Sequence, residues 1–405
     1  METMQDTSVR RKTVSPGLVL FMMLMSMTAG AMCLNKVAPI VPFLTESMGL
    51  TGAGQAGLLM SVFVFSGIFL AIPSGVIITK YGYYKTGIIA LAATLAGSLI
   101  GAFSPGYAVM LASRIIEGIG LILLMTLGPA AVGRVFSDAK RGSAMGLLMC
   151  FMAFGQIAMF NLAPRIAETS TWVNVWWFTA IYALIFLIVW IAALRNLDAA
   201  LAGDAQNSPA AETKNTLLPK AVFANKGIWL IGLTLMIYLI AEQGVISFLP
   251  TYLTEVRGMD AAGAGSLVSI APLVGIPVGI LTGMISDRIG SRKKPLGILM
   301  LASAVTYALM PTFPTALFLV LVVLFGIAVM GIVGLCFSAA AELVAPEHGN
   351  MAVALLNTFQ WVGIFLSSSI VGLLIEAFGW DMMFYILVPL TVLGALCTFL
   401  TPKLR

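Results

Sequence analysis

The sequence predicts an all-α integral membrane protein with twelve transmembrane helices in two pseudo-symmetric halves of six. Three observations carry this. The 405-residue chain is 60% hydrophobic and 10% charged, with a mean hydropathy of +1.02, against roughly 25% charged residues in a soluble domain. Apolar runs long enough to cross a bilayer come as a series of six, a polar break, and a second series of six. A short motif of glycines and basic residues occurs once in each series, at the same joint.

The first run covers 17–44. It follows "RRK" and contains "AGA" at 29–31, as a cleaved leader would, but it stays apolar to Leu44 and is expected to remain as a span. Further runs lie at about 54–79, 86–104, 106–132, 142–165 and 173–195. The stretch "RNLDAALAGDAQNSPAAETKNTLLPK", 195–220, is the longest polar segment and reads as a flexible linker. Apolar runs resume at about 227–253, 263–285, 295–313, 315–340, 350–376 and 380–401. None has the roughly ten-residue alternation of a β-barrel strand. The expected division is an N-terminal six-helix half at 1–196, a cytoplasmic linker at 197–226 and a C-terminal half at 227–405. Span eight, with Pro272, Pro277 and several glycines, is expected to kink.

Lys and Arg set the orientation. With the N-terminus inside, the outer loops hold only Arg165 and Arg257, while Lys36 and Arg114 fall within spans. Every other basic residue lies on the inner side, so both termini are expected to be cytoplasmic. The compact loops suit a bacterial inner membrane. The net charge of +5 is then a matter of topology, and no nucleic-acid partner is expected. Cys33, Cys150, Cys336 and Cys397 sit far apart in apolar runs and suggest neither a metal site nor a disulfide framework. One histidine, His348, cannot supply H-E-x-x-H or a Ser–His–Asp triad. No G-x-x-x-x-G-K-[ST] loop is present. No enzyme activity and no cofactor are expected, and any pumping must draw on a gradient.

The repeated motif reads "GVIITKYGYYK" at 75–85 and "GMISDRIGSRK" at 283–293, nearly half the chain apart. The second copy resembles the loop motif G-x-x-x-D-R-x-G-R-[KR]-[KR] of the major facilitator superfamily. "RIIEGIG", Arg114 to Gly120, resembles that family's R-x-x-x-G on span four. The first loop copy departs from the pattern, with Thr79 in place of the usual Asp. The span-five motif of drug/proton antiporters is not matched, since that region reads "GQIAMFNLAP". "LNKVAPIVPFLTESMGL" and "RIIEGIG" are similar to anion and carboxylate permeases, including cyanate-permease-like members.

The resemblance implies a monomeric secondary transporter working by alternating access, with spans one, four and seven lining a central cavity. Lys36 and Arg114 would then meet one cavity at matched depth and bind a small organic anion. A Lys36 that snorkels, or that is paired only structurally, is the competing reading. Glu117, one turn after Arg114, either neutralises it in the empty carrier or carries a proton. Glu242, alone in the middle of span seven, is a substrate or proton group, with Tyr238 and Gln243 beside it. Asn357, Gln360 and Trp361 share one face of span eleven, for substrate or for helix packing. Gln156 and Asn161 are further polar positions on span five, and Glu376 reads as solvated. The loop residues Gly75, Thr79, Lys80, Gly283, Asp287, Arg288, Gly290 and Arg292 are assigned to gating. Asp287 is expected to pair with Arg288 or a helix N-terminus, and the uncharged Thr79 to make a weaker latch. The expected function is proton-coupled symport of a small organic anion, with carboxylate favoured. The alternatives are a proton-coupled drug or amphiphile antiporter, an anion exchanger and a transport-dead sensor.

Overall fold

The computed structural model describes residues 14–202, 220–345 and 348–402, and every regular element among them is helical. Among the described residues, eleven helices are long and apolar enough to cross a membrane. The remaining member of the expected series, Lys293–Leu309, has 17 residues. At 1.5 Å per residue it is roughly 26 Å long, at the short end of what a bilayer requires. Span one is Pro16–Met48, span four Tyr107–Val135, span five Lys140–Thr169 and span six Val173–Ala193. Span seven is Lys226–Glu255, span eight Ala261–Ile289, span ten Thr315–Glu342, span eleven Met351–Phe378 and span twelve Trp380–Leu400; Lys293–Leu309 is span nine. Spans two and three start at Ala53 and end at Ala102. Helices satisfy their own backbone groups, which is what permits side chains such as Ile280, Leu281 and Ile285 to face outward.

The joint between spans two and three is Gly82, with φ 80° and ψ 171°. Its counterpart between spans eight and nine is Gly290, with φ 63°. Gly82 and Gly290 are 208 positions apart, as are the motif glycines Gly75 and Gly283. Both turns occupy the left-handed half of backbone space, where only glycine is unstrained. At Gly82 a Cβ would also run into the carboxylate of Asp198. Asp198 Oδ1 accepts from the amides of Tyr83 at 2.6 Å and Tyr84 at 3.3 Å, capping the start of span three. Asp198 belongs to the short helix Leu197–Ala202, and Lys220–Ala224 is a second short helix before span seven. The centre of the expected linker, 203–219, lies outside the described residues, as do the basic residues at both termini and Lys214.

Span two is interrupted at Val62–Val64 and span five at Cys150, and spans one, eight and ten are broken as well. Span one is helical over Pro16–Asn35, bends at Lys36 and Val37, and resumes as Ala38–Ile40 and Val41–Met48. Pro39 has no N–H to continue the ladder. Span eight is interrupted at Ser269, between Ala261–Val268 and Ile270–Ile289. Pro272 falls in the first turn of the second piece, where its missing donor is not needed, and Pro277 lies inside it. Span ten breaks at Gly331. Across the halves, span two packs on span eleven and span five on span eight.

Candidate transport site

The break in span one decides what surrounds Lys36. Where the helix stops at Asn35, the carbonyls of Cys33 and Leu34 are left at its C-terminal end, the negative pole of its dipole. Arg114 of span four takes them. Its Nη1 donates to Cys33 O at 2.5 Å, its Nη2 to Leu34 O at 3.3 Å, and its Nε to Leu59 O at 3.3 Å. The same Nη1 lies 2.6 Å from Glu117 Oε2. The guanidinium stacks over Phe63 at 4.5 Å. A planar five-donor fork suits this job and a lysine would not do it.

Lys36, just past the break, turns back into the same cluster. Its Nζ lies 2.6 Å from Glu117 Oε1 and donates to Thr179 Oγ1 at 2.9 Å. Ser98 Oγ lies at 3.5 Å from Nζ and donates to Glu117 Oε1 at 2.7 Å. The Trp176 ring lies 4.4 Å from the ammonium. Lys36, Arg114 and Glu117 are all 0% exposed. Two basic groups therefore share one carboxylate, so with both protonated the buried cluster carries one positive charge in excess. Spans one, three, four and six supply its polar side chains, and span two the Leu59 carbonyl and the Phe63 ring.

Lys36 and Arg114 were expected to face an aqueous cavity, and in this conformation they do not. Both are sealed inside the N-terminal half, enclosed by Glu117, Thr179, Trp176, Phe63 and the carbonyls of Cys33 and Leu59. Glu117 does neutralise Arg114, and it neutralises Lys36 as well. The ammonium does not snorkel to an interface in this conformation; it is paired inside a protein cage, the arrangement that a structurally paired lysine would have.

The cavity lies immediately beyond, between the halves. It has a volume of about 450 Å³ and is lined by Leu34, Asn35, Gln156, Tyr238, Glu242, Gln243 and Gln360, with apolar walls from spans five, eight and ten. Glu242 is 3% exposed, and its Oε2 accepts from Gln243 Nε2 at 2.8 Å. Its partner is a neutral amide, not a cation. Tyr238 donates its hydroxyl to Val329 O at 2.8 Å. Asn35 and Gln243 stand 208 positions apart, as do Met152 and Gln360, and all four line the cavity. Equivalent positions of the repeat therefore line the cavity from both sides. Its charge does not follow that symmetry: Glu242 corresponds to Leu34, and Lys36 to Gly244.

Of the expected site residues, Tyr238, Glu242, Gln243 and Gln360 come together at the cavity. Asn357 and Trp361 are not among its lining residues. Trp361 is 8% exposed and packs with Phe63 and Ile122 of the N-terminal half, because its helix face turns toward span two. Asn35, Ser98 and Thr179 were not anticipated. A single Ser or Thr in an apolar helix is too common to signal anything, but Asn35 beside Lys36 formed a polar doublet that pointed to this spot.

Among the gating residues, Asp287 pairs with Arg292 and not with Arg288. Arg292 Nη2 lies 2.6 Å from Asp287 Oδ1, and its Nε 3.0 Å from Glu342 Oε1. Burial works against the Arg292 charge, but the bonds to Glu342 and Asp287 outweigh it and raise its pKa above the ordinary arginine value. Arg288 sits one residue after Asp287, on an exposed helix face, while the turn at Gly290 folds Arg292 back. In the first copy, Thr79 donates only to Gly75 O at 2.9 Å, within its own helix. The carboxylate there comes from Asp198 instead. Lys80 lies over the Tyr81 ring at 5.3 Å. Gly75 and Gly283 both have open space where a Cβ would stand. Glu376, expected to be solvated, is exposed but accepts a hydrogen bond from Gly54 N at 2.8 Å.

The sequence profile of the Major Facilitator Superfamily matches residues 17–348 and 279–404. The chain is similar to the glycerol-3-phosphate transporter of Bacillus subtilis, with 27% identity over 286 residues, 66% of this chain and 64% of the relative. It thus spans less than two thirds of that relative's length. It is also similar to the probable galactarate/D-glucarate transporter GudP of Bacillus subtilis, with 23% identity over 82% of this chain and 80% of the relative. The probable sulfoacetate transporter SauU of Cupriavidus necator is 24% identical over 93% of this chain and 94% of its own length. With two motif copies, a cavity lined by equivalent positions of the repeat and a profile match from end to end, the chain belongs to the major facilitator superfamily.

Proposed function

We propose that this protein is a secondary transporter of a small organic anion, with a carboxylate as the recognised group, moved together with a proton. The observation that carries the reading is the excess positive charge of the Lys36–Glu117–Arg114 cluster. A net charge held out of water costs several kcal/mol unless something of opposite sign compensates it. A transported anion is that compensation. The relatives support the same class, since they are named for glycerol-3-phosphate, galactarate/D-glucarate and sulfoacetate.

The two cations have different work in this reading. Arg114 spends its donors on the carbonyls of the broken helix and on Glu117, so it holds the frame. Lys36 has one anionic partner, stands at the bend in span one, and follows Asn35 on the cavity wall. Lys36 exchanges Glu117 for the substrate anion as the halves rock. Glu242 is the proton group. It faces the cavity with a neutral partner, so an entering anion would be repelled unless Glu242 carried a proton. Binding of the anion and of the proton are linked by that repulsion. By the distribution of Lys and Arg, the face carrying the Gly82 and Gly290 turns is cytoplasmic, in a bacterial inner membrane.

Purified protein heated with a panel of ligands tests the class. Small organic anions are expected to raise the unfolding temperature, and lipophilic cations to leave it unchanged. Stabilisation by lipophilic cations alone would favour a drug antiporter and reject the anion reading. Coupling is tested in proteoliposomes. Glu242→Gln is expected to keep anion exchange across the membrane but to lose the accumulation that a pH gradient drives. Undiminished accumulation would assign the proton elsewhere.

A further inference from the structure

On the face opposite the Gly82 and Gly290 turns, the halves meet at two crossings related by the 208-position repeat. At the first, the helix Ala53–Ser61 of span two starts against the end of span eleven, and Glu376 Oε1 accepts from Gly54 N at 2.8 Å. At the second, the helix Ala261–Val268 of span eight starts against the end of span five, and Glu168 Oε1 accepts from Ala262 N at 3.3 Å. Glu168 and Glu376 are 208 positions apart, and so are Gly54 and Ala262.

The correspondence continues one turn deeper. Ser61 Oγ accepts from Ser369 N at 3.0 Å, and Ser269 Oγ accepts from Asn161 Nδ2 at 3.0 Å. These partners obey the same offset. Between the two polar levels the backbones touch. A Cβ on Gly57 would meet the carbonyl of Ser368, and one on Gly265 the carbonyl of Phe160, again an equivalent pair.

We propose that Glu168 and Glu376 are paired latches that hold this face shut, each carboxylate of one half capping the first turn of a helix in the other. The first amides of a helix have no partner of their own, and the dipole favours a negative charge beside them. Each cap is therefore satisfied only while the halves are in contact. Both carboxylates are exposed, so water replaces the bond when the face opens. Such latches are weak enough to break in every cycle and strong enough to bias the resting state. They are not equal. Glu376 makes the shorter bond and lies against Gly52 and Gly54, where a Cβ on either would strike it. Glu168 shares its turn with Asp260, which already caps Gly263 N at 2.7 Å. Glu376 is the dominant latch. None of this depends on which substrate the cavity takes.

Hydrogen exchange on the full-length protein in lipid nanodiscs separates a latch from a local cap. Glu376→Ala removes one carboxylate. If it is a latch, exchange rises by about fivefold, the worth of one helix cap, in 53–61 and also in 261–268 at the other crossing. Glu168→Ala is expected to raise both by less. An increase confined to 53–61 in Glu376→Ala, or no increase at all, overturns the proposal. Glu376→Gln keeps an acceptor and loses the charge. It is expected to give the same two-site pattern at smaller amplitude, and is read by the same criterion should the alanine variant not fold.

Discussion

Lys36→Met is expected to fold as well as the parent and to lose anion binding by about 30-fold or more. The two parts have one cause. Removing Lys36 leaves Arg114 paired with Glu117 at 2.6 Å, so the cluster changes from one positive charge in excess to a neutral pair. Methionine fills the space of the aliphatic stem, and Thr179 and Ser98 keep each other as partners at 3.1 Å. Stability is therefore nearly unchanged. Binding is not, because the charge that the anion compensates is gone, and losing one side of a desolvated charge pair costs about 2–5 kcal/mol. Ligand-induced thermal stabilisation measured across a range of anion concentrations reads both quantities in one experiment. If Lys36→Met binds the anion like the parent, the excess-charge argument fails and the cluster is a structural ion pair only.

How much of this was legible in the sequence depends on the scale of the signal. Span existence needs only long apolar runs, and the motif glycines announce the two turns because glycine is the one residue at ease there. The Lys36, Arg114 and Glu117 constellation was also legible, since charges inside apolar runs are few. Their direction was not. Equal depth along two helices does not say whether side chains meet in a cavity or behind its wall. The answer turned on Pro39, which breaks span one and leaves carbonyls for Arg114 to hold. Asp287 misled for a similar reason. Its neighbour Arg288 is nearest in sequence, but the turn at Gly290 brings Arg292 round instead.

The repeat also separates what is shared from what is special. Turn glycines, the backbone crossings at Gly57 and Gly265, and the carboxylates Glu168 and Glu376 all recur at one offset. These are the parts that two halves working by alternating access, as proposed, would need in duplicate. The charged cluster and Glu242 have no counterparts, since Arg114 and Glu117 correspond to Val322 and Phe325. In the proposed reading the chemistry lies where the symmetry is broken: Lys36 and Arg114 in one half, Glu242 in the other, and the cavity between them.

Glu117→Gln tests the same cluster from its anionic side, and it is expected to lower stability by about 3–5 kcal/mol, the usual loss when one partner of a buried ion pair is removed. The glutamine oxygen can still accept from one cation, but its amide then presents donors to the other, and both Lys36 and Arg114 are left charged and 0% exposed. Two excess positive charges replace one. The defect therefore belongs to the pair, and adding Lys36→Met should restore most of the stability, since it removes the cation that lost its partner. Anion binding moves the other way. With Glu117 gone, nothing inside the protein competes with the substrate for Lys36, so the single variant is expected to bind the anion more tightly while turning over more slowly, because release no longer has a carboxylate to return to. Unfolding transitions of the single and double variants, with and without anion, give the full cycle. If Glu117→Gln is as stable as the parent, or if Lys36→Met makes it worse, the two cations do not depend on Glu117 and the proposed exchange of carboxylate for substrate has no basis.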